Sequence, residues 1–263
     1  MLRRDRRVIA AALALLAALA WSYTLWLADL MRMPGMGTPD LRMDANPFAP
    51  AMMPQIQPWS PTEFALLFAM WAIMMVGMMT PAAAPMVLLH ARVGRQAAAS
   101  GHVMTGSGWF FGGYLLAWTL FSLAATIGQW ALERAALLTG SMALASTPLA
   151  AAILFAAGCY QFTPLKEACL SHCQSPLAFI QRHGGFRRTA GGALSLGLRH
   201  GTYCVGCCWA LMLLLFALGI MNVMWLAAIA AFVLLERLLP RTRLPSHAAG
   251  AALIMGAGWL VLG

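Results

Sequence analysis

Apolar runs of about twenty residues recur along the chain, the length a helix needs to cross the roughly 30 Å hydrocarbon core of a bilayer. Backbone polar groups inside lipid must pair within their own segment, so such runs fold as helices and pack into a bundle. Of the 263 residues, 61% are hydrophobic and only 10% charged, whereas about a quarter are charged in a soluble domain. The expectation is an all-α integral membrane protein with about seven transmembrane helices in a single membrane domain. The spans are placed at about 8–30, 62–89, 107–130, 147–165, 190–219, 222–239 and 246–263, with a Pro/Met-rich extracytoplasmic loop at 31–60.

Charge sets the orientation. Arg3, Arg4, Arg6 and Arg7 precede the first run. Its far end carries Trp21, Tyr23 and Trp26 and no small-residue cleavage site, which predicts an uncleaved helix rather than a signal peptide. With the N-terminus inside, the inner segments hold thirteen basic residues and the outer segments three (Arg32, Arg42, Arg134). That asymmetry predicts a multi-pass protein with a cytoplasmic N-terminus. The net charge of +9 is explained by this placement, so the expected partner is the lipid bilayer and no nucleic acid. Spans two–three, four–five and six–seven also read as three parallel hairpin repeats, each with a first helix ending at a proline (Pro81, Pro164, Pro240).

Chemistry concentrates in residues 159–208, which hold all six cysteines. His200, Cys204, Cys207 and Cys208 fall at i, i+4, i+7 and i+8, one stripe of a helix. Cys169 and Cys173 are i, i+4 with His172 between them, so a short interfacial helix would present two thiols and an imidazole together. Most of these residues lie on the inner side of the predicted topology, where thiols stay reduced. A third group, Met74, Met75, Met78 and Met79, belongs to a methionine stripe on span two. Met31, Met33 and Met36 stand in the outer loop, where thioethers have no core to fill.

Thiolate and thioether donors select soft ions, above all copper(I), with zinc the competitor for Cys and His. A methionine track leading to thiolates favours copper, since zinc takes thioethers poorly. The order of donors suggests outer capture at Met31, Met33 and Met36, a path along Met74, Met75, Met78 and Met79, and a thiol terminus inside. From that terminus a soluble metal chaperone or acceptor protein would take the ion. Each group also has a plain packing explanation, because methionine and free cysteine are good core residues. The main rival is redox: Cys204-Val-Gly-Cys207 has the spacing of a dithiol oxidoreductase. Against it, Cys208 would compete for mixed disulfides and no outer cysteine is present to accept electrons. A third reading is a metal-insertion or assembly factor that does not transport. No metalloprotease, phosphate-binding or nucleophile-elbow motif occurs. Glu236, beside Arg237 near the end of span six, is expected to pair with an arginine at the cytoplasmic edge.

Thr163-Pro-Leu-Lys166 with Cys169 and Cys173, then Gly201-x-x-Cys204-Val-Gly-Cys-Cys-Trp209 and Met221-Asn222, resemble a bacterial family of predicted metal-binding integral membrane proteins, a domain-of-unknown-function family. Met-Met-Thr-Pro-x-x-x-Pro at 78–85 is similar to the same family's N-terminal motif. The resemblance covers about 65–240 and implies a bacterial inner (cytoplasmic) membrane and a metal site. The methionine-rich loop lies outside it.

Overall fold

The computed structural model describes residues 2–32, 59–100, 106–138, 142–186, 188–239 and 242–262. Among them the chain is helical: α1 Leu2–Arg32, α2 Pro61–Ala99, α3 Ser107–Arg134, α4 Thr147–Tyr160, α5 Pro164–Gln174, α6 Pro176–Arg182, α7 Ala190–Leu218, α8 Val223–Leu238 and α9 Leu244–Leu262. The starts are encoded locally. Ser60 and Glu63 form a reciprocal capping box ahead of α2, with Pro61 at its first position. Thr163, Thr189 and Asn222 cap α5, α7 and α8 through side-chain oxygens.

Five of these helices (α1, α2, α3, α7 and α9) are long and apolar enough to cross a bilayer, and six crossings result if α4 and α5 are counted as one broken span. The expected fourth span differs in shape. It stops at Tyr160 and resumes at Pro164 with a bend of 63°. Proline disfavours the helical region for the residue before it, and Thr163 is extended at φ −76°, ψ 143°. The expected sixth span is α8, whose 16 residues reach only about 24 Å. The count of seven is not confirmed, nor are the hairpin repeats. Pro81 lies inside α2 rather than at its end, and α9 packs chiefly on α4.

The centre of the bundle is the α3–α7 contact, flanked by α2 on one side and by α4 and α5 on the other. Helices meet closely there because glycines allow it. A Cβ on Gly197 would lie 1.9 Å from the Phe110 carbonyl oxygen, and one on Gly113 would lie 2.0 Å from that of Leu194. Of the glycines that open span three, Gly113 makes this approach, while Gly106, Gly108 and Gly112 have open space beside them.

Candidate metal centre

His200, Cys204, Cys207 and Cys208 share the predicted stripe of α7, and all four are buried. Arg199 and His200 do not interrupt the helix. It runs unbroken from Ala190, which places Cys204 about 21 Å along its axis. The thiols therefore sit midway along α7, deeper than the helix end the sequence suggested.

The break before Pro164 turns α5 against α7, and the second cysteine group arrives with it. Gly206 makes the approach: a Cβ there would lie 2.9 Å from Cys169 Sγ. Cys173 is buried, and its thiol lies on the side of α5 that meets α7, near that of Cys207. Tyr160, at the end of α4, donates from its hydroxyl to the Gly206 carbonyl at 2.5 Å and holds the corner in place. Cys207 and Cys208 both turn their S–H groups onto the Cys204 carbonyl, at 3.1 and 3.0 Å. Four sulfurs from two helices thus meet, with Cys169 at their edge. All six cysteines, including the exposed Cys159, are free thiols.

The histidines behave differently. His172 is engaged elsewhere, with Nδ1 2.7 Å from the Ala168 carbonyl oxygen and its ring stacked on Tyr203 at 4.2 Å. His200 packs against Phe179, Tyr114 and Phe110 at 5.1, 5.8 and 5.9 Å, and its Nδ1 has no hydrogen-bond partner.

Two residues not anticipated as site members complete the cluster. Tyr114 Oη lies 3.0 Å from Cys204 Sγ and donates to the Met79 carbonyl at 3.1 Å. Arg237, 9% exposed, points its guanidinium into the sulfurs: Nη2 is 2.6 Å from Cys204 Sγ and 3.7 Å from Cys207 Sγ, while Nη1 donates to the Ala82 carbonyl at 3.3 Å. The sequence carried a signal for Arg237, since a charged pair at the end of an apolar run must find partners. Tyr114, one aromatic residue among many in span three, gave none.

Glu236 pairs with Lys166 at 2.5 Å, not with an edge arginine. The carboxylate also accepts from Ser246, and the ammonium also donates to Gln161. The reason is geometric: α5 buries Lys166, just past the expected fourth span, to 1% exposure beside α8. Glu236 is thereby neutralised by its own partner, which leaves Arg237 to the sulfurs.

Met74, Met75, Met78 and Met79 are all buried on α2, and it is the backbone carbonyl of Met79, not its thioether, that accepts from the Tyr114 hydroxyl beside Cys204. Met33 and Met36 lie outside the described residues, as does the side chain of Met31. As the side chains stand, no group of three or more His, Cys, Asp or Glu among the described residues is arranged to hold an ion. The thiols are instead engaged with the Cys204 carbonyl, with the Tyr114 hydroxyl and with Arg237. Rotation about χ1, which staggered wells permit, is what they would need to close on one.

A family model described as PpoB2, copper chaperone, matches residues 68–260. No curated protein and no solved structure matches the chain. The chain belongs to the copper chaperone family so described.

Proposed function

We propose that this member of the copper chaperone family takes a cuprous ion onto the sulfurs of Cys173, Cys204, Cys207 and Cys208, with Cys169 at their edge. It then hands the ion toward the cytoplasmic side of a bacterial inner membrane. The observation that carries the reading is the meeting of thiols from α5 and α7 in one buried place beside a guanidinium. Thiolates prefer soft cations. An ion held by two or more of them is anionic overall, and a buried anion needs a countercharge. Arg237 is already aimed where that charge would be.

The buried methionines of α2 support a supply route, since thioethers bind copper(I) weakly enough to pass it on. In this reading Met31, Met33 and Met36 face the outside as a capture site, and a soluble acceptor removes the ion on the inner side. The N-terminus is cytoplasmic. His200 borders the sulfurs and adjusts their surroundings. Zinc is the second choice of ion.

Metal analysis of the full chain, purified under reducing conditions and offered copper(I) and zinc together, tests this. Bound copper is expected, and Cys207→Ser with Cys208→Ser should abolish it. Uptake of zinc alone would overturn the choice of ion. Native disulfides among these cysteines would favour thiol redox chemistry instead. Reporter fusions that place residues 31–60 in the cytoplasm would overturn the direction.

A further inference from the structure

Away from the sulfurs, where α1 begins and α2 ends, the two helices enclose a groove of about 540 Å³, a size that suits a small ligand. Arg6 of α1 lines one wall, and Arg92, Arg95 and Gln96 of α2 line the other. Arg92 and Arg95 are i, i+3 and share one face of their helix. Basic residues at this end of the bundle are expected on topology alone. Topology does not require that they converge from two helices on one groove.

No carboxylate lines the groove, and Asp5, beside Arg6 in the chain, is not part of its walls. Among the described residues, none of the three arginines has an ion-pair partner. Arg95 Nε is in addition buried without a hydrogen-bond partner. Like charges gathered across a helix contact repel, and they do so more strongly where the surroundings are less polar than bulk water. α1 packs chiefly on α2, so this contact is what keeps it in the bundle. An anion seated between the guanidiniums turns the repulsion into a bridge, and guanidinium groups take phosphate oxygens two at a time.

Placement along the helices identifies the kind of phosphate. Arg6 stands just before the apolar run that opens at Val8, and Arg92 and Arg95 just after the one that closes at Leu89. The remaining walls are Pro85, Leu88 and Leu89, which belong to that apolar run and are exposed or half-buried. From Pro85 to Arg95 the α2 wall covers about 15 Å. It is apolar at one end and cationic at the other, across the level where acyl chains give way to head groups. A free phosphate would use only the cationic end.

We infer that this groove binds one anionic phospholipid, its phosphate held by Arg6, Arg92 and Arg95 and an acyl chain lying on Pro85, Leu88 and Leu89. The inference rests on the reading of α1 and α2 as membrane-spanning helices and is independent of the metal. The bound lipid ties α1 to α2, the helix that carries the methionines.

Native mass spectrometry of the full chain in a neutral detergent, offered lipids with matched acyl chains, tests the site. One molecule of phosphatidylglycerol or diphosphatidylglycerol should be retained at least about tenfold more tightly than phosphatidylcholine. Arg92→Gln with Arg95→Gln should reduce that preference to less than about twofold. Arg6→Gln, on the opposite helix, should lower it part of the way. Arg243→Gln, at an exposed arginine outside the groove, should leave it unchanged. In lipid-free detergent the double variant should unfold at the same temperature as the unaltered chain or higher, since the repulsion has gone with the charges; this also shows that it is folded. No preference in the unaltered chain, a preference that survives the double substitution, or an equal loss in Arg243→Gln overturns the inference. Displacement of the lipid by inorganic phosphate at equal concentration overturns it in favour of a plain phosphate site. Recovery of the unaltered chain as a soluble monomer without detergent overturns the membrane reading itself.

Discussion

Two polar networks are buried along α3, and they are built to different standards. Toward its C-terminal end, Trp71 Nε1 donates to Gln129 Oε1 at 2.8 Å, and Gln129 Nε2 donates to Glu133 Oε1 at 2.9 Å. Trp59 Nε1 donates to the other Glu133 oxygen at 2.7 Å. Every member has its partner. Around Tyr114, about 22 Å away along the same helix, the sulfur cluster leaves atoms unmatched. Arg237 Nε, His200 Nδ1 and, on its flanks, Gln161 Nε2 and both nitrogens of His90 are buried without hydrogen bonds. A fully satisfied network specifies and stabilises a core, whereas buried groups without partners persist where something other than stability is served. The contrast separates a part of the bundle whose buried polar groups are all paired from a part, around the proposed metal centre, where several are not.

Substitutions can test that separation. The largest effect is expected at Gly197, where α7 makes its close approach to α3 one turn from Tyr114. Gly197→Ala forces a methyl group against the Phe110 carbonyl, and should cost about 3 kcal/mol or more in thermal unfolding and abolish copper binding as well. Gln129→Leu strands Trp71 and Glu133 and should cost about 2 kcal/mol, with copper stoichiometry unchanged. Loss of copper in that variant would mean the two networks are coupled. Arg237→Gln removes the countercharge and should weaken copper(I) affinity about tenfold, close to 1.4 kcal/mol, as measured by chelator competition. Tighter binding in this variant would show that the guanidinium competes with the ion. Met74→Leu with Met78→Leu preserves volume and should change stability by less than about 1.5 kcal/mol. It should slow copper loading in vesicles while leaving the purified protein able to bind. If loading is unaffected, the stripe serves packing alone.

What the sequence made legible was whatever is written in local spacing. The helical class, the bounds of α3 and α7, and the stripe of His200, Cys204, Cys207 and Cys208 follow from periodicity and capping. Spacing alone did not say whether Cys173 meets Cys207; the turn of α5 against α7 decides that. The reversed fates of Lys166 and Arg237 were not legible. Which of two cations reaches a carboxylate and which reaches a sulfur depends on how α5 and α8 approach each other, and nothing in either segment records the distance to the other. Pro81 misled for a related reason. Proline removes one donor and strains the preceding turn, but whether a helix survives it is decided by the helices packed around it, here α1 and α3.

The 63° break between α4 and α5 bears on how quickly anything gathered by those sulfurs can leave. A ligand gripped only from one rigid rod must lose several bonds together, and its dissociation is slow. In the proposed site the grip is divided between a continuous shaft, α7, and a short arm hung from a corner at residues 161–163. There the bonds from the two helices would open in turn while an incoming donor takes the vacated place. For an ion held as proposed, the number of sulfurs bears on how tightly it is held, and the corner at residues 161–163 on how readily it is passed on.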